Sequence, residues 1–153
     1  MRRMARQVET AIQASSQRLH RDPTEEDIAS ELKLDLKEYH RWLLDLRGLA
    51  MATLECADED GRDLLAYAAD DEEKQPLRLL ERSELEKLLA RAIEQMPSMD
   101  RTVISQYYME ELTLREIAEV VHLHQSRISQ IKSQAILRLR AYLAKRWPME
   151  RGI

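Results

Sequence analysis

The chain has 153 residues, room for one ordinary domain or two small ones, and its single cysteine, Cys56, excludes an internal disulfide and a cysteine-based zinc site. Phe is absent, only 3 residues are Gly and 34% are charged, a helix-favouring composition that argues against a large sheet. The net charge of −4 argues against a polyanion as partner, but it averages an acidic middle with a basic stretch: Gln125 to Trp147 carries Arg127, Lys132, Arg138, Arg140, Lys145 and Arg146 and no acid.

In chain order, Met4, Val8, Ala11, Ile12 and Ser15 recur at 3/4 spacing and predict a first helix with one apolar face. Asp22-Pro23-Thr24 breaks it. Thr24 is placed to cap a second helix whose first turn is acidic and whose buried stripe is Ile28, Ala29 and Leu32. After a turn at Leu34-Asp35, Leu36, Tyr39, Leu43 and Leu46 predict a third. Residues 48–76 hold Glu55, Asp58, Glu59, Asp60, Asp63 and the run Asp70 to Glu73 with no lasting period, and read as an extended acidic linker with a short helical turn near Leu64 to Ala68.

Residues 77–153 are helical again. Leu80, Leu85, Leu88, Leu89, Ala92 and Ile93 form a helix that stops at Met96-Pro97. Ser98 is expected to cap the next, with Val103, Ile104, Tyr107 and Tyr108 inward. Thr113 with Glu116 three residues on forms a capping box for a short helix carrying Ile117, Ala118 and Val121. A long final helix presents Ile128, Ile131, Ala135, Ile136, Leu139 and Leu143 on one stripe, and its other face is expected to be free, basic and polar. The expected fold is all-α: two small helical domains, 1–47 with three helices and 77–153 with four, joined by the linker.

Residues 26–34 resemble residues 115–123. Both carry Ile-Ala on a short helix, then a three-residue turn and a longer helix, so both read as helix-turn-helix units. A helix about 10–12 Å wide fits the DNA major groove. In the C-terminal unit Gln125, Ser126, Ser129 and Gln130 point away from the apolar stripe and are candidates to read base edges. Thr113, Leu114, Arg115, Arg127, Lys132 and Gln134 are candidates for phosphate, the first two at the N-terminus of the supporting helix.

The segments Leu112 to Ala118, Gln125 to Ile131 and Ser133 to Arg140 resemble region 4 of the sigma-70 family, most closely its flagellar (motility) type, and Val103 to Glu111 matches that type too. Arg2 to Val8 and Pro23-Thr24-Glu25-Glu26 look like region 3, with the acidic linker standing where the family has region 3.2. The resemblance covers nearly the whole chain in order. It implies promoter recognition: region 4 reads the −35 element and docks on core RNA polymerase (beta flap, beta prime), and Arg2, Arg3 and Arg6 lie near the extended −10 element. It also implies control by a small anti-sigma factor of the FlgM type. Region 2 of the family has no counterpart in these residues, so they are not expected to initiate transcription alone. The family's turn usually has Gly where His122 stands and Ser or Thr where His124 stands, so a strained turn and a weaker cap are expected.

Other readings fare worse. His122 and His124 lack further metal ligands, and Asp58 to Asp63 lacks the spacing and closing Glu of a calcium loop. His20-Arg21-Asp22 lacks the rest of a kinase site, and no nucleophile, base and orienting group converge. Neither a cofactor nor a small-molecule ligand is expected. With no signal peptide and no apolar run long enough for a bilayer, a soluble cytoplasmic protein is expected. A helix-turn-helix regulator of another family, and a module that binds only proteins, stand as alternatives.

Overall fold

The computed structural model describes residues 2–47 and 76–146. The acidic linker up to residue 75, its expected turn near Leu64 to Ala68, Cys56 and Trp147 lie outside the described residues, and Pro76, expected as the linker's last residue, begins a helix. Among the described residues all regular structure is helical: α1 (Arg2–Leu19), α2 (Glu25–Glu31), α3 (Leu36–Asp45), α4 (Pro76–Gln95), α5 (Ser98–Tyr108), α6 (Leu114–Val121) and α7 (Gln125–Arg146).

The helix starts follow from side chains that satisfy orphan amides. Thr24 Oγ1 accepts from Asp27 N at 3.3 Å while the Asp27 carboxylate accepts from Thr24 N at 2.9 Å, a reciprocal box. Asp35 caps α3 by accepting from Glu38 N at 2.7 Å. Thr113 and Glu116 form the second box, at 3.2 and 2.7 Å. The expected Ser98 cap is corrected. Pro97 holds the cap position with no side-chain bond, and Ser98 is the first helical residue, its carbonyl accepting from Thr102 Oγ1 at 2.9 Å. Proline's fixed φ suits the entry into the helix, so no side-chain acceptor is needed to set it.

The internal repeat holds at the level of individual hydrogen bonds. Thr24 and Thr113, 89 residues apart, are both boxed caps. Lys33 (φ 60°) and His122 (φ 59°) stand at equivalent positions, both left-handed. Leu34 N donates to Ala29 O at 2.9 Å, and Leu123 N donates to Ala118 O at 3.1 Å. Thus α2–α3 and α6–α7 are two copies of one helix-turn-helix geometry.

The copies are not independent in space. Helix α7 runs through the middle, touched by α1, α3, α4, α5 and α6. One apolar cluster joins Val8, Ile12, Ile28, Tyr39, Leu43 and Leu46 to Leu137 and Ala141 of α7. A second joins α4 and α5 to Ala135, Ile136 and Leu139. A third joins α5 and α6 to Ile128 and Ile131. The expected inward stripe of α7 is buried, but so is the side expected to be free: every residue from Ile131 to Leu139 is buried. That correction has a physical cause. A three-helix unit of under 50 residues encloses little apolar surface by itself, and Leu137 and Ala141 complete the core of α1–α3.

Polar groups carried inward by this packing are mostly paired. Tyr39 Oη donates to Gln134 Oε1 at 3.0 Å, and Gln134 Nε2 donates to Asp100 Oδ2 at 3.4 Å. Arg138 Nε lies 3.1 Å from Asp100 Oδ2, each side chain 6% exposed. Burial pushes the Asp100 carboxyl above its ordinary pKa, and the Arg138 charge and the Gln134 bond oppose that. Two further links join α1 to α7: Gln13 Nε2 donates to Ala141 O at 3.0 Å, and Arg140 Nε meets Glu9 Oε1 at 2.7 Å.

Removing one partner of a buried ion pair leaves the other charge stranded, whereas an apolar pair of similar volume is often neutral. Asp100→Leu is therefore expected to lower unfolding free energy by about 3–5 kcal/mol. Adding Arg138→Met should recover most of that loss, as read by urea denaturation of the chain and both variants.

Candidate nucleic-acid interface

The α6–α7 unit is set up locally before anything packs on it. After the Thr113 box, α6 turns Ile117 and Ala118 inward. His122 ends the helix in the left-handed region, φ 59° and ψ 42°, the strain expected where no Gly is available; that conformation costs a non-glycine residue about 1–2 kcal/mol. His124 then caps α7. Its Nδ1 accepts from Ser126 N at 3.2 Å and lies 2.8 Å from Ser126 Oγ, so the imidazole stands in for the expected Ser or Thr.

The structure divides the candidate base readers. Gln125 and Ser126 are exposed at the tip of α7, and Gln130 is half-buried. Ser129 is only 7% exposed and lies on the packed side. Among the candidate phosphate groups Thr113 and Arg115 are exposed and Leu114 is half-buried. Arg115 makes a surface pair with Glu119 at 3.8 Å, weak enough in water to yield to a phosphate. Lys132 and Gln134 are buried as well. Lys132 is 5% exposed with Nζ 3.6 Å over the Tyr107 ring, and Gln134 is 2% exposed within the Tyr39–Asp100 network. Both point into the core because α3 and α5 flank that part of α7. Arg138 and Arg140, expected to extend a free positive field, are likewise engaged with Asp100 and Glu9. The free cationic side expected of α7 is therefore reduced to its first turns and its end.

Arg127 is the most informative position. Its Nη2 donates to Glu25 Oε1 at 2.7 Å, and its Nη1 donates to Gln130 Oε1 at 3.3 Å. His40 Nε2 lies 2.7 Å from Glu25 Oε2 and 3.2 Å from Arg127 Nη1. As Nε2–H it donates to the carboxylate, and the approach of Arg127 is then a close contact rather than a bond. Arg127, a candidate phosphate contact, is thus held by a carboxylate of α2. Glu25 and His40 were missed as site residues. The acids at 25–27 read as complements to a helix dipole, and no spacing in the sequence links Glu25 to a partner 102 residues on.

Arg2, Arg3 and Arg6 are exposed and line a separate open cleft of about 510 Å³ with Gln7, Thr10 and Glu31, away from the α7 tip. Among the described residues no helix is long and apolar enough to cross a membrane.

Against this geometry stand the comparisons with known proteins. The family models for Sigma-70 region 3 and Sigma-70, region 4 match residues 4–79 and 92–141. RNA polymerase sigma factor FliA of Yersinia enterocolitica is 40% identical over 144 residues, covering 94% of this chain and 63% of the relative. The FliA of Escherichia coli K12 is 38% identical over 146 residues, covering 95% and 61%. The RNA polymerase sigma-D factor of Bacillus subtilis is 33% identical over 150 residues, covering 94% and 58%. The chain thus spans about three-fifths of these relatives. Among solved structures, a flagellar sigma/anti-sigma complex, Sigma-28/FlgM, is similar with a TM-score of 0.51 and 27% identity, over 95% of this chain and 59% of that one.

Burial works against the Glu25 carboxylate, but the hydrogen bonds from His40 and Arg127 outweigh it and hold its pKa below the ordinary 4.5. Its contribution is therefore complete above 4.5 and is lost as pH falls through the lower folded value. The melting-temperature difference between the chain and Glu25→Gln is expected to shrink as pH falls below 4.5.

Proposed function

Since the chain belongs to the sigma-70 family through its regions 3 and 4, we propose that it supplies the promoter-recognising part of a flagellar-type sigma factor. It acts in the cytoplasm by binding rather than by catalysis. In this reading α6 lies over the DNA backbone and α7 enters the major groove of the −35 element. Gln125, Ser126 and Gln130 meet base edges, and Arg115 and Arg127 meet phosphates with the amides at Thr113 and Leu114. Residues 1–47 act as region 3, with Arg2, Arg3 and Arg6 toward the extended −10 element, 48–76 as the linker and 77–153 as region 4. The partners are promoter DNA, core RNA polymerase at the beta flap and beta prime, and an anti-sigma factor of the FlgM type. The solved relative bound to FlgM supports the last.

The observation that carries this reading is the capped helix-turn-helix whose α7 tip remains exposed while Arg127 is held by a carboxylate. The same observation sets a condition. Glu25 and a phosphate cannot both occupy Arg127 Nη2, so engagement of DNA requires α7's first turns to leave α2 and α3. Ser129, Lys132 and Gln134 could contact DNA only after that separation.

Binding of the chain to a duplex carrying a −35 element is expected to weaken steeply with salt, as phosphate neutralisation requires. Arg127→Ala should weaken binding to all sequences and flatten the salt dependence. Glu25→Gln should strengthen it several-fold at fixed salt, because the competitor for Arg127 loses its charge. Affinity for −35 and scrambled duplexes, measured by fluorescence anisotropy across a salt series, checks all three. Equal affinity for both duplexes would refute the reading.

A further inference from the structure

Arg127 reaches in two directions: Nη2 toward α2, and Nη1 toward Gln130 of α7 itself, beside His40 of α3. Nη2 holds Glu25 of α2, while Nη1 holds Gln130, one turn along α7 itself. The second bond is internal to the helix at i, i+3 spacing and survives any movement of α2. A phosphate oxygen that displaces Glu25 from Nη2 leaves Nη1 where it is, on the Gln130 carbonyl.

That bond decides which half of the Gln130 amide faces outward. A glutamine usually reads adenine with both halves, Oε1 accepting from N6 and Nε2 donating to N7. Here Oε1 is turned toward a guanidinium, and an adenine N6–H₂ brought to its second lone pair would face a neighbouring cation. The Nε2–H₂ group suffers no such conflict. It finds two acceptors on guanine, O6 and N7, and one on thymine, O4, whereas on adenine it meets N7 alone beside the N6–H₂ donor that then goes unmatched.

We propose that Arg127 is a positioning residue for base choice: by occupying the Gln130 carbonyl it fixes Gln130 as a hydrogen-bond donor, so the base pair under Gln130 is selected for an acceptor edge, guanine or thymine, over adenine. The inference rests on the reading of α7 as the major-groove helix and adds to it the polarity of one contact. One arginine then links backbone position to base identity, because it holds a phosphate and a reader together.

The test uses the full chain and a set of duplexes in which each base pair of the −35 element is changed in turn. Gln130→Ala first locates the pair whose discrimination depends on Gln130; if no pair depends on it, α7 does not read through Gln130 and the underlying reading fails separately. At the located pair the chain is expected to prefer guanine or thymine over adenine by about tenfold, within the usual range for one base contact. Arg127→Lys keeps a phosphate-binding charge, but its single ammonium cannot span both partners. It should lower affinity for every duplex, less than Arg127→Ala does, while adenine rises to equal or overtake guanine and thymine in the ranking. Arg127→Met should weaken binding to every duplex and re-rank the bases in the same way. A purely structural role for Arg127 would lower affinity without re-ranking. The proposal is overturned if the unaltered chain prefers adenine at that pair, or if the Lys variant keeps the original ranking.

Discussion

The enclosure of α7 is the constraint on which the other features depend. A helix surrounded on five sides must bring its polar residues inside with it, and each buried polar group needs a partner there. Gln134 and Lys132 meet that demand through Tyr39 and the Tyr107 ring, and Arg138 meets it only in part, its charge set against Asp100 while its Nη1 has no hydrogen-bond partner among the described residues. Two of these three partners, Tyr107 and Asp100, belong to the C-terminal helices. Tyr39 does not: its hydroxyl and the Glu25–Arg127 clasp are polar seams where the N-terminal helices close over α7.

The seams make the arrangement reversible in principle. A contact that carries Leu137 and Ala141 into the core of α1–α3 stabilises the closed packing through apolar burial, but its polar part uses groups that water or phosphate can also satisfy. Arg127 is the clearest case. Glu25 presents it with a charge of the same sign as a phosphate, at a charge-assisted distance of 2.7 Å. In the proposed opening Arg127 would exchange one anion for another, while the Arg140–Glu9 pair and the apolar contacts of Leu137 and Ala141 would be lost.

The two helix-turn-helix units show how one local geometry serves two ends. Both have a boxed threonine cap, a left-handed turn residue and a capped second helix. In the first unit Asp35 caps α3, which packs Tyr39 and Leu43 into the core and His40 against Glu25. In the second, His124 caps α7, whose tip stays in solvent. The difference lies in what each second helix meets, and that is set by its outward residues rather than by the turn.

Much of this was legible in the sequence because it is local. Caps at Thr24 and Thr113 act within three residues, apolar stripes repeat at helical spacing, and the Ile-Ala repeat marked both turns, including the strained position at His122. Motif similarity placed the chain in its family. Tertiary structure decided what lies far apart along the chain: Glu25 on Arg127, Tyr39 on Gln134, Gln13 on α7, and hence which of the candidate DNA contacts face solvent. Periodicity assigns a helix one inward face by assuming one neighbour. Helix α7 has neighbours all round, and only the folded arrangement of two cores too small to close alone could bury Ser129, Lys132 and Gln134.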